Sequence, residues 1–343
     1  MTLPRMTFAL AAAALASIAH AETRYTASLL AAPAGPKTVV ALSAGGSVLG
    51  SIRTSTSPDV EKSYVLGADG QVVFQVPGVR RTEARAMSSA GHVAGAIYRK
   101  DSFVGGSYLR RPDGSIETFA VEGAYETAAQ DVNASGTVVG WSKTGSPPRP
   151  TAFLWRDGAF TPLPSPYLAD GDSALNAIND AGDMVGTASY DADQHHATLW
   201  HADGSAVKLF DLPRHGDCEA TSIASTGVVA GFCSNSSSTA GAALWRSTSS
   251  APQALMPPEG DASSWAWSVN AAGVVVGQSS PVVGRTRAVV WRDGAPADLQ
   301  TLTELPAGVT LESAWDVSDD GRILAIGRKD EAFYALLLTP SGR

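Results

Sequence analysis

Apolar residues in this chain come in short bursts. Runs of about 4–7 hydrophobic positions are broken by Gly, Pro or Asn-Asp, with no sustained helical spacing, and this predicts short strands rather than helices. The stretch Ile178-Asn-Asp-Ala-Gly-Asp-Met-Val-Gly186 is the sharpest instance. It reads as a strand end, a tight turn on glycine and a second strand. Related copies recur along the chain, with turn glycines at Gly46, Gly91, Gly136, Gly182, Gly227, Gly273 and Gly321. Asn or Ser typically opens the turn, because its side chain can bond the backbone two residues on. Glycine closes it, where a hairpin turn with a bulge needs positive φ.

A second landmark lies about 18–20 residues further on in each copy. Tyr64-Val-Leu-Gly-Ala-Asp-Gly70, Ala152-Phe-Leu-Trp-Arg-Asp-Gly158 and Thr198-Leu-Trp-His-Ala-Asp-Gly204 each predict a third strand and an Asp-Gly hairpin. A fourth strand follows, such as Ala206–Leu212. Four short strands at a period near 45 residues describe a propeller blade. The expected fold is therefore all-β: a seven-bladed β-propeller of four-stranded blades, with blades at about 37–79, 82–122, 127–168, 173–213, 218–257, 264–305 and 312–340. The last repeat stops after its third strand, while residues 24–32 offer a strand with no blade of its own. Those residues are expected to complete the seventh blade, closing the ring and removing its exposed edges.

Links between strands one and two, and three and four, are short. The other two kinds are long and, by alternation, emerge on one face. Recognition loops usually sit over a rigid scaffold in this way, so the long-loop face is the expected binding face.

Composition adds a compartment. Arg5 followed by the apolar run Thr7–Ala19 and the small-x-small site Ala19-His-Ala21 reads as a secretory signal, residues 1–21, leaving 22–343 as one propeller domain. The expected location is periplasmic or extracellular. No later stretch has the ~18 consecutive apolar residues of a membrane helix, so no membrane insertion is expected. The net charge of −8 argues against nucleic acid as a partner. Cys218 and Cys233 flank one hairpin and are expected to form a disulfide, with two buried thiols as the alternative.

Candidate chemistry is sparse. Trp155, Trp200, Trp245 and Trp291 recur in third strands and read as core. Trp267 and Trp315 match each other in adjacent repeats, with Arg85, Gln130, Asn176 and Thr221 at the equivalent places and Trp265 on the same stretch. They suit either a stacking platform for a sugar or peptide, or blade-to-blade packing. Asp191, Asp193 and His195 alternate on one loop. Without a fourth ligand no metal is assigned, and Asp193 and His195 stand as candidate ligand-binding residues. Asn133, Asn179 and Asn270 are turn formers, or a polar ring at the channel mouth. No nucleophile elbow, zinc-protease helix, phosphate loop or dinucleotide fingerprint occurs, so no catalytic residue and no cofactor are assigned. Asp131, Asp316, Glu126 and Glu219 lie near the inner strands and could supply a carboxylate pair for glycoside chemistry.

The turn type of residues 178–186, with the segments Thr151-Ala-Phe-Leu-Trp-Arg-Asp-Gly158 and His196-Ala-Thr-Leu-Trp-His-Ala-Asp-Gly204, resembles the bacterial extracellular HAF-repeat family, as a divergent member. The resemblance covers nearly all of the chain after the signal. It implies secretion and β architecture, and brings no catalytic residues. The marks of WD repeats and the sialidase box are absent. The expected function is a non-catalytic, monomeric binding scaffold for a protein or glycan. The alternatives are a propeller glycosidase or lyase, and a cell-envelope structural or assembly protein.

Overall fold

The computed structural model describes residues 23–30, 37–43, 46–54, 57–67, 70–98, 104–191, 194–235, 239–281, 284–330 and 332–341. The expected signal segment lies outside them, as does Asp193. Among the described residues the strands form a β-propeller: four separate four-stranded sheets, one eight-stranded sheet and one five-stranded sheet. The inner strands are Lys37–Leu42, Arg81–Met87, Glu126–Val132, Ser173–Ile178, Asp217–Ile223, Ser263–Val269 and Thr310–Val317, numbered here as blades one to seven. Each pairs antiparallel with the next strand outward. Blades one and two share a single parallel bridge, Glu61 to Arg81.

Arg24–Leu29 pairs antiparallel with Ala332–Ser341, from Arg24 opposite Ser341 to Leu29 opposite Leu336. Tyr25 anchors this strand. It is 1 % exposed, in a core cluster with Leu299, Leu311 and Leu338. A two-residue strand, Thr303–Glu304, adds outside it in parallel.

Every strand-one-to-two turn repeats one bonding pattern. In blade three, Asn133 N donates to Thr137 O at 3.1 Å and Gly136 N to Asn133 O at 3.0 Å. Gly136 has φ of 79°, a conformation that a Cβ disfavours.

The core is divided among the junctions between blades, as expected of repeats that bury their faces only on one another. The third-strand tryptophans Trp155, Trp200, Trp245 and Trp291 are at most 1 % exposed. Trp245 Nε1 donates to Phe210 O and Trp291 Nε1 to Met256 O, each at 2.7 Å, so each ties its blade to the chain leaving the preceding one. Trp155 instead stacks on Phe119 of the preceding blade, ring centres 4.3 Å apart. Cys218 and Cys233 are directly opposed in blade five and form a disulfide.

Each inner strand carries a β-bulge at one equivalent place, and this positions everything that follows. The bulged residues are Val40, Arg85, Gln130, Asn176, Thr221, Trp267 and Trp315. A bulge pushes an inner-strand carbonyl onto the second strand. A Cβ on Gly140 would lie 2.0 Å from Ala128 O, and one on Gly277 1.9 Å from Trp265 O. The glycine at this place in the second strand, Gly95, Gly140, Gly186, Gly231 or Gly277, therefore has a packing cause. Blade seven has Ala325 in this place, opposite Ala314, and carries a second irregularity between Leu311 and Ser313.

Candidate functional site

The bulge ring gathers most of the residues that the sequence singles out. Arg85, Gln130, Asn176, Trp267 and Trp315 occupy the same bulge in five blades. Asn176, and Thr221 at the same place in blade five, reach into the next blade. Asn176 Nδ2 donates to Glu219 Oε1 at 2.9 Å and to Ala220 O at 3.0 Å in the next blade. Thr221 Oγ1 donates to Ala266 O at 2.9 Å. Arg85 pairs within its own blade with Glu83 at 2.8 Å, and Tyr98 OH donates to the same carboxylate at 2.6 Å.

In blades five to seven the wall turns aromatic. Phe232 meets Trp267 edge-on with centroids 5.8 Å apart, and Trp267 stacks on Trp315 at 5.8 Å with 12° between planes. The stack joins two blades, and Trp315 is 45 % exposed. Trp265 lies two residues before the bulge, toward the long-loop face, and is half-buried.

The residue after the bulge works as a staple. Asp131 Oδ2 accepts from Ile178 N at 2.8 Å and Asp316 Oδ2 from Leu42 N at 2.8 Å, each reaching into the following blade. Ser222 and Ser268 accept from Val269 N and Val317 N at 3.2 and 3.3 Å. The Asp316 bond joins blade seven to blade one. Burial pushes the Asp131 carboxyl up to about 7, against the pull of amide bonds from Ile178 and Val132, with the charges of Asp316 and Asp180 adding to the rise. Burial also raises Asp316 and Glu219.

At the tight-turn end, residues from all seven blades line one cavity of about 220 Å³. Its rim is built by asparagines that do two jobs. Asn133 Oδ1 caps its own turn, accepting from Ser135 N and Thr137 N at 3.1 Å. Its Nδ2 donates to Asn179 O in the next blade at 3.2 Å, and Asn179 and Asn270 repeat the step to Ala224 O and Ser318 O. The amide groups are thereby committed to backbone partners.

A second cavity, about 360 Å³, opens on the long-loop face between blades six and seven, lined by Arg285, Arg287, Asp298, Gln300 and Glu312 among others. Sequence reasoning missed it. Its residues come from three segments that are far apart in the repeat and share no motif. His195 lies elsewhere on that face, exposed at the start of a blade-four strand, where its N–H donates to Asp217 Oδ1 at 3.0 Å. It is not brought together with Trp265, Trp267 or Trp315 by any contact among the described residues.

The remaining sequence candidates are engaged in the fold. Glu126 pairs with Lys143 at 3.0 Å, Glu219 accepts from Asn176, and Asp131 and Asp316 hold backbone amides.

No protein-family model matches the chain, and no curated protein matches it. Solved structures do. The WD40 repeats of RRP9 superpose with a TM-score of 0.55 at 14 % identity, covering 93 % of this chain and 99 % of that one. The β-propeller domain of the Trilobed protease from Pyrococcus furiosus, described as having an open velcro topology, gives 0.56 at 10 % identity over 93 % and 96 %. Puromycin hydrolase gives 0.54 at 12 % identity, where 85 % of this chain covers 50 % of that one. At these identities the likeness establishes the propeller fold and nothing about activity.

Proposed function

We propose that this chain is a secreted or periplasmic scaffold, non-catalytic and monomeric, that holds a protein or glycan partner on the long-loop side of blades six and seven. The observation that carries this reading is the aromatic arc Phe232–Trp267–Trp315 on the inner wall of blades five to seven, in which Trp315 is 45 % exposed. A large exposed indole on a rigid wall offers contact area at little entropic cost, as binding hot spots do. The disulfide supports an oxidising compartment, and the resemblance to HAF repeats supports secretion after removal of residues 1–21. No helix among the described residues is long and apolar enough to cross a membrane.

A glycosidase or lyase reading is less well supported. The inner-wall carboxylates that it would need already accept backbone or side-chain amides or pair with a cation. Glycoside chemistry needs one carboxyl to exchange a proton or attack, and an acceptor held by structural donors is poorly placed for either.

The test is capture from an envelope extract by the mature protein, run beside a glycan array. A partner retained by the native protein and lost with Trp315→Ala, without turnover, is the expected result. Chemical conversion of a captured glycan would instead establish the enzyme reading.

A further inference from the structure

We infer that a third cavity, at the tight-turn end between blades six and seven, is the seat of the chain's own amino terminus once residues 1–21 have been removed. The occupant is Glu22, which lies outside the described residues. This rests on the secretion reading above and adds a structural consequence of the cut.

The cavity measures about 390 Å³, and the strand that closes blade seven contributes Thr23 and Tyr25 to its wall. Its charged lining is Arg292 from blade six with Asp319 and Asp320 from blade seven. Asp320 is already matched, since its Oδ2 accepts from Arg322 Nε at 2.8 Å. Arg292 and Asp319 remain, one charge of each sign. Among the described residues neither forms an ion pair. Asp319 Oδ1 accepts from Ala271 N at 2.8 Å, which leaves its second oxygen to a further donor. Arg292 donates to the Tyr25 hydroxyl, and its guanidinium lies 5.7 Å from the centre of that ring. A neutral hydroxyl leaves the charge of a guanidinium unmatched, and its fork of donors suits a carboxylate.

Arg292 has also left the place that its counterparts keep. Arg156 and His201 likewise follow the third-strand tryptophan in blades three and four. Each bonds within its own blade, Arg156 Nε to Thr137 Oγ1 at 2.8 Å and His201 Nδ1 to Asp183 Oδ1 at 3.1 Å. Arg292 turns instead to the amino-terminal strand.

The residue next to the cavity carries what is missing. Thr23 is in the wall, and consecutive Cα atoms are ~3.8 Å apart, so Glu22 belongs at the cavity's edge. A cut after Ala21 gives Glu22 a free ammonium beside its carboxylate, one charge of each sign on one residue. The ammonium goes to Asp319 and the carboxylate to Arg292, and the four charges pair off. A first residue has no preceding peptide to fix its direction, so both groups can turn inward. Before the cut the same nitrogen is an uncharged amide, and residues 1–21 must leave past the cavity. Removal of the signal thereby tightens the strand that completes the ring. Asp319 is exposed, so the gain from its pair is small.

The test compares the full mature chain, released with Glu22 at its start, with the same chain carrying a short glycine–serine extension in front. The native start should melt at least ~2 °C higher. Its α-amine, followed by NMR after labelling with ¹⁵N-glutamate, should titrate ~0.5 unit or more above the ~7.7–8.0 usual for that group. Asp319→Asn should return it to the usual range. Glu22→Gln and Arg292→Gln together should lower the melting temperature by less than the sum of the two alone, because both break one pair. The loss of the Tyr25 bond in Arg292→Gln cancels in that comparison. An extended chain that melts with the native one, an amine in its usual range, or additive losses overturns the seat. Sequencing the start of the exported chain separates this from its premise. A start other than Glu22 overturns the cut and the seat together. A start at Glu22 with an ordinary amine ends the seat alone and leaves the secretion reading standing.

Discussion

At the scale of single residues, the bulge decides more than any polar group. Gly140 and its counterparts are glycine because a neighbouring carbonyl already occupies the space of a Cβ. Gly140→Ala forces the strands apart, and its cost should be about 1–3 kcal/mol, the usual range for overpacking. Urea denaturation will measure it, and a neutral result would mean that the bulge relaxes freely. Asp131 gives a pH signature. Its carboxyl is raised from 3.8 to about 7, so the folded state keeps a proton that the unfolded state releases. Its contribution to stability is thus fully present below pH of about 4 and is lost as pH climbs through 7. Urea midpoints should fall across that window in the native protein and fall less in Asp131→Asn. Parallel pH profiles would show that the staple does not titrate there. The strand that follows each turn and ends in glycine, as at Asp183-Met-Val-Gly186, was visible in the sequence, but apolar residues beside glycine also describe an ordinary strand. Nothing one-dimensional distinguishes a bulge that faces the glycine from the neighbour across the hairpin.

At the scale of elements, regularity made the fold legible. The turn glycines give the period, the Asp-Gly hairpins give the second half of five blades, and the unmatched strand at residues 24–29 finds its partner at Ala332–Ser341. The cysteine pair was equally readable, because both residues count from one turn and the strands fix their opposition. Replacing both with serine should cost about 3 kcal/mol, the entropy of freeing a loop of ~15 residues. A chemical-denaturation midpoint unchanged by the double substitution would show that the pairing of strands already constrains the unfolded chain. The site was less readable for a physical reason. Trp267 and Trp315 could be matched by repeat position, but whether a matched residue faces a neighbour or the channel depends on the twist at the bulge. The blade six–seven cavity uses Arg285, Gln300 and Glu312, which follow no repeat rule, because the long links are the part of each blade that packing leaves free to vary.

At the scale of the whole molecule, contacts run between neighbouring blades, and stability is distributed over similar junctions. Trp315→Ala should therefore spare the fold, since the ring is half exposed, yet abolish partner capture; a large loss of melting temperature would mark it as packing instead. The seventh junction is unlike the rest. Its outer strand comes from the start of the chain, so Thr26 sits beside Thr339 across 313 positions of sequence. Deleting residues 22–33 should lower the melting temperature sharply, because Tyr25 leaves a core that nothing else fills. The same arrangement sets a timetable. During synthesis the earliest strand must wait, unpaired, for the last to emerge, and a long-range contact of this kind forms slowly. Six blades can stack as they are made, but the seventh gains its outer strand only once Ala332–Ser341 has been made, which makes that pairing the late step of folding.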